Sequence, residues 1–217
     1  MTNQNTILTL FPKVFCVKIL NDLDNNKILK IVKQEKYHQS GELQKELNVE
    51  NISLSSDTKN ILENKKLLFL KKILLKEFYT FKNDVLKYTK NNFEITTSWI
   101  ALCNKKQKSN LHNHQNCMYS GILYLQTNEN SGDIMFDDLV NFSNFKLDCD
   151  SYNTYNSKSW RIKPVNNMLI FFPSEIYHQV LENNSNIDRY SLAFNLIPTG
   201  KLGYKNSDSY VNLKILK

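Results

Sequence analysis

The sequence predicts an α+β fold in which a helical first half supports a β-rich second half. Between residues 57 and 90, apolar residues recur at mostly three- and four-residue intervals, the pattern of an amphipathic helix. After Asn92 the pattern changes to short β-rich runs separated by polar turns such as residues 127–132. Many short strands with regular turns indicate a sandwich or barrel, and not a parallel α/β sheet. We therefore expect helices to cover one face of a β-sandwich or barrel.

The other predicted elements follow from local signals along the chain. An opening strand over residues 7–19 is interrupted at Pro12. An amphipathic helix capped near Asp22 runs to about Tyr37. The polar residues 38–57 predict a loop. The strands of the second half are predicted near 93–102, 118–126, 132–136, 158–163, 167–172, 178–182 and 189–197.

Length and composition fit one integrated domain. The chain has 217 residues, and its apolar fraction of 41% is enough for a sizeable buried core. Neither an internal repeat nor a low-complexity linker divides it. We predict a single domain over residues 1–217, in which residues 1–92 supply the opening strand and supporting helices and residues 93–217 form the β-rich core.

Cysteine usage and the lengths of the apolar runs predict the compartment. Cys16, Cys103, Cys117 and Cys149 are widely spaced, which disfavours a disulfide scaffold and favours a reducing compartment. The first residues lack the pattern of a signal peptide, and no segment approaches the roughly eighteen apolar residues of a membrane helix. We predict a cytoplasmic protein without a membrane span.

The charge balance is basic, with 28 Lys and Arg against 21 Asp and Glu. A basic surface attracts anions such as nucleic acid or a dicarboxylate, but it is also typical of any lysine-rich protein. Aromatic residues do not alternate with the lysines, so a nucleic-acid partner is a lesser alternative. The lysines concerned are Lys65, Lys66, Lys71, Lys72, Lys76, Lys105, Lys106 and Lys108.

Three of the four histidines lie in the β-rich half. His112 and His114 stand two residues apart in L-H-N-H-Q-N, so in an extended segment both side chains point to the same face. A later strand of a barrel can bring His178 opposite them. Imidazole suits iron, zinc, copper and nickel, and the pattern therefore allows one shared metal site. The alternative is that these histidines bond to backbone carbonyls or lie at the surface.

Arg189 opens an otherwise apolar strand eleven residues after His178. A guanidinium there is costly to bury unless it meets an anion, and it pairs well with carboxylates. Ser191 lies two positions on, shares the same face and can donate to the same carboxylate. The alternative partner is an internal Asp or Glu.

Five motifs occur in order: H-x-H, S-G-I-L-Y-L, G-D-I-M-F, F-F-P-S-x-x-x-H and R-Y-S-L-A-F-N. Together they resemble the non-haem iron(II), 2-oxoglutarate-dependent oxygenase superfamily, and within it a subgroup that carries H-x-H-P-N-S and S-G-V-Y-Y-type segments. The resemblance covers about residues 93–200, and the opening L-F-P more loosely. It implies a double-stranded β-helix, a jelly-roll or cupin-like barrel, with the N-terminal helices packed outside.

The resemblance also implies chemistry. Fe(II) would lie in the mouth of the barrel, 2-oxoglutarate would be the co-substrate, and ascorbate is a candidate reductant. The default outcome is hydroxylation of a small-molecule or peptide substrate of unknown identity, with succinate and CO2 as co-products. The rival interpretation is a non-catalytic metal-binding or ligand-binding β-barrel module.

Residue roles follow from the same resemblance. His112 and His178 match the two histidine ligands of the family, and Arg189 with Ser191 would bind the far carboxylate of the co-substrate. Tyr124, in S-G-I-L-Y-L, matches a co-substrate-contacting position, although it is also a natural core aromatic. Trp99, Trp160 and Tyr177 would line the mouth or belong to the core.

One position departs from the common pattern His-x-Asp followed by a distant His. His114 stands where the Asp would be, and we favour His112, His114 and His178 as the ligand set. The alternatives are water, Asn116 with His114 as the first ligand, or a nearby carboxylate. The candidate carboxylates are Asp133, Asp137 and Asp138.

Overall fold

The fold consists of strands in which buried and more exposed residues alternate, together with one long helix that carries an apolar face. A computed structural model describes residues 7–41, 46, 49–139, 145 and 147–215. The helices are α1 (Asn25–Val32) and α2 (Leu68–Asp84), and two 3-10 turns precede α2 at Ile61–Glu63 and Lys65–Leu67. The strands are β1 (Cys16–Ile19), β2 (Tyr37–Gln39), β3 (Leu54–Ser56), β4 (Asn92–Cys103), β5 (Tyr119–Gln126), β6 (Ile134–Asp137), β7 (Ser159–Ile162), β8 (Met168–Pro173), β9 (Tyr177–Val180), β10 (Arg189–Leu202) and β11 (Val211–Leu213).

The strands form a major and a minor sheet. The major sheet has the order β1-β8-β5-β10-β4-β3-β2, with β11 added beside β10, and the minor sheet has the order β7-β6-β9. Neighbouring strands are antiparallel in both. The predicted fold is confirmed: the molecule is a double-stranded β-helix with helices packed against it.

The outer face of the major sheet packs on the helices. Leu192, Phe194 and Leu196 of β10 are almost fully buried there, together with Leu74 and Phe78 of α2. The ring centroids of Phe78 and Phe171 are 5.3 Å apart, and the angle between the ring planes is 66°. This face carries the larger apolar cluster of the protein and so supplies most of its hydrophobic stabilisation.

The inner face of the major sheet looks towards the minor sheet. Ile122, Ile170 and Phe172 of the major sheet pack there against Ile134 and Phe136 of β6. Strand alternation places the functional residues of β10 on this same inner face, because side chains two positions apart point the same way. The two-layer arrangement therefore separates a supporting face from a face that holds the site.

Several predicted boundaries need correction. The first helix begins at Asn25 and is capped by Asp24, whose side chain accepts from the Lys27 amide, so Asp22 is not the cap. The opening strand starts only at Cys16, and the exposed Phe11 before it has a left-handed φ of 56°. The long helix predicted from residue 57 begins at Leu68, after the two 3-10 turns.

The predicted loop 38–57 contains strands at both ends, β2 and β3. The sequence did not predict β3 because its residues are mostly polar. A polar residue can be buried in this strand because the hydroxyl of Ser56 forms its hydrogen bonds within the protein. Ser56 Oγ accepts from the Ile100 amide at 3.0 Å and donates to the Thr58 carbonyl at 2.8 Å. Residues 42–45, 47 and 48 of that predicted loop lie outside the described residues.

Within the described part of the chain, no helix combines the length and apolarity that crossing a bilayer requires.

Candidate metal and co-substrate site

Backbone pairing brings the first histidine to the distant one. The His112 amide donates to the His178 carbonyl at 3.0 Å, and the His178 amide donates back to the His112 carbonyl at 2.8 Å. This antiparallel bridge adds the His112 segment to the edge of the minor sheet. The His114 amide donates to the Ser174 carbonyl at 3.0 Å, which holds the second histidine against the end of β8.

The three imidazoles converge on one point. One potential ligand atom from each of His112, His114 and His178 lies within 4.8 Å of the others. The ring centroids are 4.4 Å apart for His112 and His178, 5.0 Å for His114 and His178, and 5.4 Å for His112 and His114. His112 is exposed, His114 is half-buried and His178 is buried. The cluster therefore opens to solvent on one side, and it is positioned to bind a metal.

Each ring uses Nδ1 for a protein contact. His112 Nδ1 lies 2.8 Å from the Asn110 carbonyl, and His178 Nδ1 lies 3.1 Å from the Ile176 carbonyl. A carbonyl only accepts, so Nδ1 of both rings is the protonated nitrogen and Nε2 keeps its lone pair. Such a partner on the far nitrogen is the usual way in which a metal-binding imidazole is oriented.

The imidazoles are neutral near neutral pH. Burial, and then the neighbouring His112, lowers the pKa of His114 to about 4, against a partly compensating hydrogen bond that Asn195 Oδ1 accepts from the ring. Burial followed by the two neighbouring rings lowers the pKa of His178 well below its usual value. A metal ion therefore has few protons to displace from these nitrogens.

None of the three candidate aspartates belongs to the cluster that the described residues form. Asp137 follows the inward-facing Phe136 in β6 and so points to the opposite face of the minor sheet. The backbone amide of Asp138 donates to the Lys158 carbonyl at 2.8 Å. Asn116 is exposed in the loop after the histidines, with a left-handed φ of 56°.

Arg189 lies on the inner face of the major sheet and is 1% exposed. Its side chain is among the largest that are fully buried, and its NH1 donates to the carbonyls of Ser131 at 2.9 Å and Gly132 at 3.3 Å. Its Nε is buried without an acceptor, and no carboxylate in the described ranges forms an ion pair with it. The expected alternative, an internal salt bridge, is thus absent from those residues. A buried cation without a counter-ion is costly, so this position suits an anionic ligand.

Strand register places two further predicted residues beside the guanidinium. Ser191 of β10 is opposite Tyr124 of β5, and Arg189 is opposite Cys103 of β4. Tyr124 is 1% exposed, and burial raises its pKa to about 12 while the nearby Arg189 acts in the opposite direction. Tyr124 is therefore a neutral phenol beside a cation, able to donate to a carboxylate.

The aromatic residues divide between the two faces. The Trp99 ring lies 5.4 Å from the His114 ring, in an edge-to-face arrangement. Trp160 pairs with Phe136 in register and is 48% exposed, so it stands at the open side of the minor sheet. Tyr177 precedes His178 in β9 and points to the opposite face. Two of the three predicted mouth residues thus face the site.

Sequence reasoning missed the residues behind His114. His114 Nδ1 lies 2.8 Å from both Asn195 Oδ1 and Ser120 Oγ, and Ser120 Oγ lies 2.8 Å from Ser174 Oγ. A signal was present, because Asn195 continues the period-two series of Arg189 and Ser191 along the same strand. The contact itself depends on long-range pairing that no local pattern reveals.

Comparison with known proteins identifies the domain. Residues 97–195 match a protein family described as "Putative 2OG-Fe(II) oxygenase". This segment, slightly less than half of the chain, is similar to a 2OG-Fe(II) oxygenase domain. The matched segment begins within β4 and ends within β10, and it contains all three clustered histidines and Arg189.

The chain is also similar to solved structures over most of its length. A prolyl-4-hydroxylase from Pseudomonas putida has a TM-score of 0.56 at 14% identity, over 85% of this chain and 92% of that chain. A prolyl hydroxylase from Trichoplax adhaerens, in complex with a peptide fragment, has a TM-score of 0.58 at 14% identity, over 84% and 83%. HygX from Streptomyces hygroscopicus, with nickel, 2-oxoglutarate and hygromycin B bound, has a TM-score of 0.60 at 12% identity, over 86% and 84%. At these identities the similarity establishes the shared fold.

The search of curated proteins found no sequence that matches this chain.

Proposed function

We propose that this oxygenase domain binds Fe(II) through Nε2 of His112, His114 and His178 and uses 2-oxoglutarate to hydroxylate an organic substrate. The observation that carries the proposal is the convergence of three neutral imidazoles whose Nδ1 atoms are all engaged elsewhere. This donor set fits a divalent first-row metal, and iron is the metal of the matched family. With O2, the bound iron and 2-oxoglutarate supply the oxidant and yield succinate and CO2.

Arg189 is proposed to bind the far carboxylate of 2-oxoglutarate. The support is its burial, its unpaired Nε and the lack of an acidic partner among the described residues. Ser191 and the neutral phenol of Tyr124 can each donate one hydrogen bond to the same carboxylate. The protein residues thus orient the co-substrate and neutralise its charge.

The substrate side of the site is proposed to lie between Trp99 and Trp160, which flank the exposed edge of the cluster. Indole surfaces bind rings and aliphatic chains, so peptides and small organic molecules both fit. Prolyl-containing peptides are reasonable first candidates because two of the similar structures are prolyl hydroxylases.

We also propose a cytoplasmic location and one integrated domain. The four cysteines are unpaired, which supports a reducing compartment. Helices from the first part and strands from the second share one apolar cluster, which supports a single folding unit.

The test is co-substrate turnover by the full chain. Purified protein with Fe(II), ascorbate and 2-oxoglutarate should form succinate slowly without substrate, and a chelator should stop it. Candidate peptides should accelerate the reaction. Protein that takes up no Fe(II) and forms no succinate would favour a non-catalytic module instead.

A further inference from the structure

A small polar cluster lies behind one of the three imidazoles. It consists of Asn195, Ser120 and Ser174, and we call it the Asn195 cluster. Ser120 and Ser174 are fully buried. Asn195 Oδ1 lies 2.8 Å from His114 Nδ1 and 3.0 Å from Ser120 Oγ, so the ring nitrogen, hydroxyl and amide oxygen form a closed triangle.

This cluster distinguishes His114 from the other two imidazoles. The Nδ1 atoms of His112 and His178 meet backbone carbonyls, each contributed by a residue two positions earlier in the chain. His114 Nδ1 meets only side-chain atoms, from residues on two other strands. The local backbone therefore orients two rings, while a distant side chain orients the third.

The direction of the Asn195 amide determines which nitrogen of His114 carries the proton. Asn195 Nδ2 donates to Thr97 Oγ1 at 3.1 Å, which turns Oδ1 towards the ring. An amide oxygen only accepts, so His114 Nδ1 must donate to it. The lone pair then resides on Nε2, the nitrogen left for the metal.

Strand register makes this contact rigid. Asn195 is opposite Ser120 in β5 and opposite Thr97 in β4, so the amide is held between two neighbouring strands. A side chain held on both sides loses little further freedom when it orients the ring. The arrangement is part of the sheet itself and is not a property of the exposed loop that carries His114.

We propose that Asn195 is a positioning residue: its amide oxygen fixes the Nδ1–H tautomer of His114 and so presents Nε2 to the metal. This inference rests on the proposed function, in which His114 is the third ligand. A neutral amide in this place leaves His114 a neutral ligand, whereas a carboxylate would add negative charge behind the ring. Asn195 thus selects the ring nitrogen that the third ligand presents to the metal.

The first experiment reads the tautomer directly in metal-free protein. Nitrogen-15 NMR of histidine-labelled protein, in a His38→Gln background, should show His114 protonated at Nδ1. Asn195→Leu should shift the ring towards Nε2–H. An Nε2–H ring in the unmodified Asn195 protein, or an unchanged ring in the Leu variant, would overturn the inference.

The second experiment measures Co(II) affinity by anaerobic titration. Asn195→Leu should weaken binding about 10–100-fold, the usual effect of losing the partner of a ligand imidazole. Asn195→Asp keeps an acceptor and should bind within a few-fold of the unmodified protein. Asn212→Leu, the same change on exposed β11, should have no effect.

Equal losses in the Leu and Asp variants would overturn the inference, because a merely structural role does not distinguish them. An unmodified protein that fails to bind Co(II) would refute the proposed function, while the NMR result would still decide the tautomer. If the Leu variant does not fold, the tautomer in the Asn195 protein and the affinity of the Asp variant decide the question.

Discussion

The two faces of the major sheet are formed by the same strands but have different roles. On the outer face, Leu192, Phe194 and Leu196 of β10 pack into the larger apolar cluster with the helices. On the inner face, the alternate residues Arg189 and Asn195 are polar and meet the site. Burial on the outer face stabilises the fold, whereas the inner face holds groups that cost stability when they lack a ligand. Substitutions on the two faces should therefore affect different measurements.

The largest expected effect lies at the centre of the inner face. His178→Ala removes one of three proposed ligands and should lower metal affinity by more than about 100-fold, beyond the loss expected for an outer partner. Succinate formation should fall to background. The matched control is His38→Ala, because His38 contacts Asp57 at 2.7 Å outside the site. A His178 variant with normal metal affinity would remove the functional distinction between the faces.

The next effect concerns co-substrate affinity. Arg189→Met should raise the KM for 2-oxoglutarate on the order of 100-fold, since truncating one partner of a buried charged pair costs about 2–5 kcal/mol. Metal affinity should stay unchanged, and the free energy of unfolding should not fall, because an unpaired buried cation is removed. Steady-state kinetics measures the KM for 2-oxoglutarate, and urea unfolding measures the free energy of unfolding. Arg161→Met, an exposed arginine on β7, is the control.

A substitution on the outer face should lower the stability of the fold and leave the site unchanged. A Cβ at Gly121 would overlap the ring of Phe194, so Gly121→Ala should lower the free energy of unfolding by about 1–3 kcal/mol. Metal affinity of the folded fraction should not change. Adding Phe194→Leu should recover part of the stability, because the two positions share one contact. Loss of metal affinity without loss of stability would contradict the division between the faces.

The smallest effect is the pH dependence of the metal-free protein. The pKa of His114 is about 4 in the folded protein, below the ordinary value of 6.5 that the unfolded chain has. Between these values the unfolded chain binds a proton that the folded protein does not, so acid favours unfolding. We expect His114 alone to lower the free energy of unfolding by about 1–2 kcal/mol between about pH 7 and pH 5, and His178, whose pKa is also lowered, to add to this fall.

Chemical denaturation at a series of pH values measures this slope. His114→Asn should make the slope smaller. Bound metal should not flatten the slope, because it keeps the imidazoles of the folded protein unprotonated while the unfolded chain still takes up protons. A stability that rises on acidification over this interval would contradict the burial of the neutral rings.

Local patterns predicted the parts of the site that depend on spacing. The i, i+2 placement of His112 and His114 predicted their common direction, and the strand after His178 predicted an inward Arg189. Local patterns predicted the ends of these elements less well. The opening strand begins only after Pro12, and the two helices begin at Asn25 and Leu68, because caps and 3-10 turns depend on a few hydrogen bonds.

The features that local sequence patterns did not predict depend on pairing between residues far apart in the chain. β2 and β3 join the major sheet through antiparallel pairing, although their sequence is polar. The partner of His114 Nδ1 comes from a residue 81 positions away. The identity of the third ligand, the single-domain organisation and ascorbate as the reductant stay predictions.

The most direct test of the central claim is a crystal structure of the full chain grown anaerobically with Fe(II) and N-oxalylglycine, an unreactive analogue of 2-oxoglutarate. We predict one metal ion bound by Nε2 of His112, His114 and His178, with the far carboxylate of the analogue on Arg189. A metal bound elsewhere, or an analogue whose far carboxylate does not contact Arg189, would contradict the account.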